Sequence, residues 1–218
     1  MARFGLLAAL SLVLGYIDRA TPLTWILGGT IPGIKLGLAN TVLLYAVYLM
    51  DWRGCVLLML TKVLLSGFMF GSMSAIIYSL SGGVLSLIVM LAVKRKPALG
   101  AFVIGLMALA ADGYLLYQHP SPKGQMFWCI LLIGLAVAAS FAIAVVIRKK
   151  PEYRLMGVSL AGAVFHNVGQ CLAASFIVRT PQLLYSYLPV LAGIGAVVGC
   201  LTGFVAKLVM KAIRSPGF

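Results

Sequence analysis

Long apolar runs dominate this chain, separated by short polar or basic punctuation. An α-helix needs about 17–25 predominantly apolar residues to cross a bilayer, because each residue advances it by only ~1.5 Å. Eight runs meet or approach that length, at 4–17, 34–50, 54–71, 74–93, 98–117, 126–147, 155–178 and 187–206. The first is short for a full crossing. Its start also fits a signal peptide, with Arg3 ahead of an apolar stretch, but no Ala-x-Ala-like cleavage site follows and it reads as a helix. The pattern predicts an all-α integral membrane protein with about eight transmembrane helices, forming a single polytopic membrane domain over residues 1–218.

Polar residues that interrupt the runs stand out against this background. The stretch "AGAVFHNVGQ" (161–170) places His166, Asn167 and Gln170 within five residues inside the seventh run. At ~100° per helical residue they fall on one face, with Ser159, Gly162 and Ala163 on the same face toward the N-terminal half. Small residues below and larger polar groups above predict a helix that packs closely in its inner half and lines an outward-facing cavity in its outer half. The plain alternative is hydrogen-bonded glue between helices, which contributes only ~0.6 kcal/mol per contact. Lys62 lies mid-span, where a charge costs about 2.5–3.5 kcal/mol on insertion scales, so it needs carbonyls, amides such as Asn40 or Gln170, water or a ligand anion. Ser66 is one turn away on its face.

The segment "GGTIPGIKLGLAN" (28–40) leads into the second run, with Pro32 suited to a first helical turn. Lys35 is electrostatically misplaced at a helix start unless an anion joins the free amides there; snorkelling to lipid phosphates is the alternative. Asn40, just over a turn deeper, and Arg179, where the seventh run ends, extend the same candidate site. Trp25, Tyr185 and Tyr187 read as interfacial anchors or as a cover for the site. Small-residue spacings, Gly195-xxx-Gly199-xxx-Gly203 in the last run and Gly5-xxx-Ala9 with Ser11-xxx-Gly15 in the first, predict close helix packing. The first run is the better candidate for docking another subunit.

Composition sharpens the class. The chain is 62% hydrophobic and 10% charged with a mean hydropathy of +1.09, outside the balance of soluble domains. A net charge of +13 would suit nucleic acid if it were clustered on a soluble surface. Instead, twelve of the 17 Lys and Arg residues fall on one side of the predicted spans, four on the other, and Lys62 within one. That asymmetry in short loops places both termini in the cytoplasm and excludes nucleic acid as the expected partner. The four cysteines form no CxxC pair, no GxxxxGK[ST] loop is present, and neither a metal nor another cofactor is expected.

The segments "PGIKLGLAN" (32–40), "LLSGFMFGS" (64–72), "SLSGGVLSLIVM" (79–90) and "GVSLAGAVFHNVGQ" (157–170) resemble the bacterial membrane family called heptaprenyl diphosphate synthase component I, also known as the Gx transporter family. The resemblance covers residues 5–96 and 153–210, while 97–150 reads as an inserted pair of spans that leaves the orientation unchanged. That family looks related to the substrate-binding S components of energy-coupling-factor transporters. It therefore implies a six-helix core (1–96 and 151–218) in the bacterial inner membrane and an outward-facing pocket for a small anionic or amide-recognised solute. It also implies contact with membrane lipids and a transmembrane coupling subunit with ATPases as partner. By matching position it implicates Lys35, Asn40, His166, Asn167 and Gln170, with Gly5 and Ala9 for docking.

The family's enzymatic label meets a physical obstacle. Prenyl transfer of the usual kind holds Mg²⁺ and diphosphate with clustered carboxylates, and this chain has four acidic residues, no two adjacent. A non-enzymatic role follows, either solute binding or a membrane accessory of isoprenoid or quinone metabolism. A quinone-linked subunit of extracytosolic electron transfer is a further implication of the resemblance, although no CxxCH or flavin-attachment motif is present.

Overall fold

The computed structural model describes residues 2–20, 40–70, 73–96, 154–179 and 188–214. These form six helices and, among the described residues, no strand. They are α1 (Ala2–Ala20), α2 (Asn40–Leu49), α3 (Trp52–Phe70), α4 (Met73–Arg95), α5 (Arg154–Val178) and α6 (Leu188–Arg214). Four helices carry stretches long and apolar enough to cross a membrane: Trp52–Met69, Met73–Arg95, Arg154–Val178 and Ile194–Lys211. The chain is thus a multi-pass α-helical membrane protein. The expected spans at 98–117 and 126–147 lie outside the described residues. α1 is longer than its apolar run, because Arg3 and Asp18 join the helix rather than bounding it.

Local chemistry explains the helix ends. Between α2 and α3 the chain turns over only Met50 and Asp51, with the Asp51 carbonyl accepting from Cys55 N at 3.0 Å. Aspartate is favoured at such a start, where its charge complements the helix dipole. α4 ends on Lys94 and Arg95, which complement its negative end. After α5, Arg179 takes a left-handed backbone with φ 53°, the geometry that stops a helix at the residue after its cap.

α5 is the centre of the assembly, flanked by α4 and α6, both antiparallel to it. On the α4 side, a methyl group on Gly169 would stand 2.8 Å from Gly82 Cα and 2.8 Å from Ser81 O. On the α6 side, one on Gly199 would stand 2.7 Å from Leu160 Cα, and one on Gly203 would stand 2.9 Å from Met156 Cα. Backbone meets backbone in both interfaces. Small residues permit this approach in membranes, where lipid tails remove the hydrophobic drive for helices to associate. The Gly195, Gly199 and Gly203 series therefore packs within the chain. Ser159 Oγ and Thr202 Oγ1, 3.0 Å apart, add a hydrogen bond across α5 and α6.

Large apolar side chains point outward, including Phe176, Phe68, Met73 and Leu6. A bilayer solvates such a surface. Gly5 and Ala9 also lie on the exposed side of α1, whereas Ser11 and Gly15 are buried. A methyl group on Gly15 would stand 3.8 Å from Ser66 Oγ of α3.

Candidate functional site

Two polar clusters lie along α5. The first closes around the Gly162 carbonyl. Asn40, the first residue of α2, donates from Nδ2 to Ser86 Oγ (2.8 Å) and to Gly162 O (3.2 Å). Ser86 of α4 donates to Gly162 O at 2.8 Å. Lys62 of α3 donates from Nζ to Asn40 Oδ1 at 3.5 Å. Both amide protons and the oxygen of Asn40 are thereby engaged, and one side chain ties α2, α3, α4 and α5 together. Asn40 and Ser86 are buried and Lys62 is half-buried. The expectation that Lys62 finds an amide is met by Asn40. Gln170, the other amide considered for it, makes its pair with His166.

The second cluster begins one turn further along α5. Gln170 Nε2 donates to His166 Nε2 at 3.1 Å. With that nitrogen accepting, the proton of a neutral imidazole resides on Nδ1. The pair lies against α4, where a methyl on Gly82 would stand 2.6 Å from His166 O and 2.9 Å from Gln170 Cγ. Ser81 fastens the same interface by donating to Gly169 O at 2.8 Å. Asn167 turns the other way. Its Nδ2 donates to Leu191 O of α6 at 2.7 Å, and Gly195 makes room for it. Asn167 Oδ1 is buried and has no hydrogen-bond partner among the described residues.

The sequence predicted one shared face for His166, Asn167 and Gln170; the structure divides them between two interfaces. The ~100° that separates His166 from Asn167 is enough, because α4 and α6 both press on α5 and bury nearly every residue from 161 to 171. Close packing also continues into the outer half at Gly82, Gly169 and Gly195, where a widening was expected. Lys35 lies outside the described residues. Arg179 is exposed and stands about 13 Å beyond Gln170 along the helix axis, at ~1.5 Å per residue.

Ser81, Gly82 and Ser86 were missed as individual contributors. Their signal was present in "SLSGGVLS" (79–86), where small polar residues and glycines recur within two turns of an apolar helix. Among the described residues, no three of His, Cys, Asp and Glu assemble into a metal site.

A family model described as heptaprenyl diphosphate synthase component I matches residues 7–118 and 121–209. The chain belongs to this family. Component I is the non-catalytic component of the synthase, in keeping with a chain that lacks clustered carboxylates. As a component I protein it is membrane-embedded and has a synthase complex as its family context. The match runs through most of the segment 97–150. No curated protein and no solved structure matches the chain.

Proposed function

We propose that this component I protein is a binding subunit, similar to transporter S components, that holds a small solute against the His166, Asn167 and Gln170 cluster. The observation that carries the reading is the Asn167 amide oxygen. A buried polar atom without a hydrogen bond costs about 1–3 kcal/mol, and more in hydrocarbon, where water does not compensate it. A ligand hydroxyl or amide N–H would supply the missing donor. The Gln170–His166 pair is adjacent, and Lys35 and Arg179 would supply the positive charge that suits an anionic part of the same solute, while Lys62 is held by Asn40. In this reading the basic end of the bundle, with Lys94, Arg95, Arg154, Lys207 and Lys211, faces the cytoplasm of a bacterial inner membrane. Gly5 and Ala9, exposed on α1, serve a transmembrane coupling subunit.

Native mass spectrometry of the full chain released from membranes tests this. A solute bound to the wild type and lost from Asn167→Leu supports the proposal; equal retention by that variant, or no solute in either, defeats it. A second reading, favoured by the family description, is a membrane accessory that holds a polyprenyl lipid for the synthase. A co-purified polyprenyl chain that survives Asn167→Leu would favour it.

A further inference from the structure

A different donor-rich corner forms at the basic end, where the C-termini of α2 and α4 meet the N-terminus of α5. Lys94 Nζ donates to Val47 O at 2.6 Å, capping the last turn of α2, and stands 5.2 Å from the centroid of the Tyr48 ring. An ammonium has three protons, so this single bond leaves Lys94 able to donate further. The Tyr48 hydroxyl is shielded from solvent and has no hydrogen-bond partner among the described residues. Arg154, the first residue of α5, is close enough for its charge to act on that hydroxyl. It is exposed and makes no hydrogen bond or ion pair with the described residues.

Among the described residues, carboxylate acceptors are scarce at this corner, so the competing acceptors are the carbonyls at the ends of α2 and α4. Val47 O is already taken by Lys94. Of the two described carboxylates, Asp18 is near the opposite end, and Asp51 is exposed on the α2–α3 turn without an ion pair to Lys94 or Arg154. Glu152 lies outside the described residues. Lys94 alone has an ordinary explanation as a helix cap. That explanation does not cover a tyrosine hydroxyl shielded from solvent and within reach of the Arg154 charge.

We propose that Tyr48, Lys94 and Arg154 form a binding site for a phosphomonoester or diphosphate group. A guanidinium fork, an ammonium and a phenolic O–H are complementary to several oxygens of one anion. The first-turn N–H groups of α5 point toward the same end and favour negative charge there, while the negative C-terminal ends of α2 and α4 are offset by Lys94 and Arg95. Because Arg154 is exposed and Lys94 half-buried, the corner opens at the membrane surface, where a lipid headgroup or a soluble anion could each reach it. The site is independent of the proposed solute cluster, which is on the other half of α5.

The test uses the full chain in nanodiscs, with two probes: soluble inorganic pyrophosphate over phosphatidylcholine discs, and phosphatidic acid incorporated into the discs. Binding is read by isothermal calorimetry for the first and by retained lipid in native mass spectrometry for the second. Arg154→Gln is expected to weaken binding about tenfold, and Tyr48→Phe about fivefold, as expected for single hydrogen bonds to a charged group. Lys94→Gln should weaken it similarly but also removes the α2 cap, so the first two variants decide. Arg53→Gln is the control: Arg53 is at the same end but lies 5.5 Å from the centroid of the Trp52 ring. Loss of pyrophosphate binding in the variants identifies a soluble anion, and loss of phosphatidic acid alone identifies a lipid headgroup; both support the site. No binding of either probe, or an equal loss in Arg53→Gln, overturns it.

Discussion

Around Gly162, the polar groups of four helices close on one another; one turn further along the same helix, Asn167 keeps a buried oxygen without a partner among the described residues. Both clusters lie at membrane depth on α5, and both are enclosed by the described helices. They differ in completeness. A satisfied network costs little to bury and fixes how its helices meet, whereas an incomplete one retains a desolvation cost that something else must offset. The contrast separates an architectural clamp (Asn40, Ser86, Lys62) from a candidate ligand contact (Asn167, with His166 and Gln170 beside it).

The largest expected effect comes from disturbing both clusters together. Gly169→Ala places its methyl against the backbone of Ser81 and Gly82, which cannot yield as a flexible side chain can. We expect a loss of about 2–3 kcal/mol, read as a lower thermal midpoint and less monodisperse protein in detergent. An unchanged midpoint would mean that α4 and α5 do not meet backbone to backbone at Gly169. Asn40→Leu comes next. It removes the oxygen that accepts from Lys62 and both of its donors to Ser86 and Gly162, and should cost about 2 kcal/mol while the folded fraction keeps its solute. If solute were lost from folded Asn40→Leu protein, the clamp would belong to the binding site and the contrast would collapse.

Asn167→Leu should have the opposite profile. It loses the bond to Leu191 O but also removes an unpaired buried oxygen, so stability should shift by less than about 1 kcal/mol. Solute affinity should fall at least about tenfold, measured by equilibrium dialysis of whatever native mass spectrometry identifies. Equal stability losses in Asn40→Leu and Asn167→Leu, with unchanged binding, would make both clusters glue. The smallest effect is expected for Ser159→Ala, which removes one interhelical hydrogen bond at the α5–α6 contact, worth about 0.6 kcal/mol in a midpoint measurement.

Much of this arrangement was legible in the residues. Apolar run length located α3, α4, α5 and α6, because a bilayer imposes a length that a sequence must meet. The Gly195, Gly199 and Gly203 spacing announced a close contact, since only small residues let backbones touch. Spacing did not reveal which helix received that contact, nor that α4 matched it from the other side through Gly82. Helical periodicity describes one helix, and pairing depends on the surfaces of two. The same limit explains His166, Asn167 and Gln170. Their angular positions were right, but one face of a single helix became two interfaces once α4 and α6 closed on it. Lys62 reads from sequence as a charge needing a partner, with Asn40 among the candidates; that the two meet over Ser86 and Gly162 is a property of the packed helices.

The glycine contacts on both sides of α5 have a thermodynamic consequence. A side chain that packs must surrender rotamers, up to about 2 kcal/mol for the longest, whereas glycine has none to surrender. Helices in a membrane have no water-driven force to overcome that loss. Where α5 meets its neighbours backbone to backbone, at Gly82, Gly169, Gly199 and Gly203, the contact itself orders few side chains. The hydrogen bonds at Asn40, Ser81, Ser159 and Asn167 therefore have little local entropic deficit to outweigh at these contacts, and set the register there alongside the buried side-chain core that includes Leu58, Met90 and Phe165.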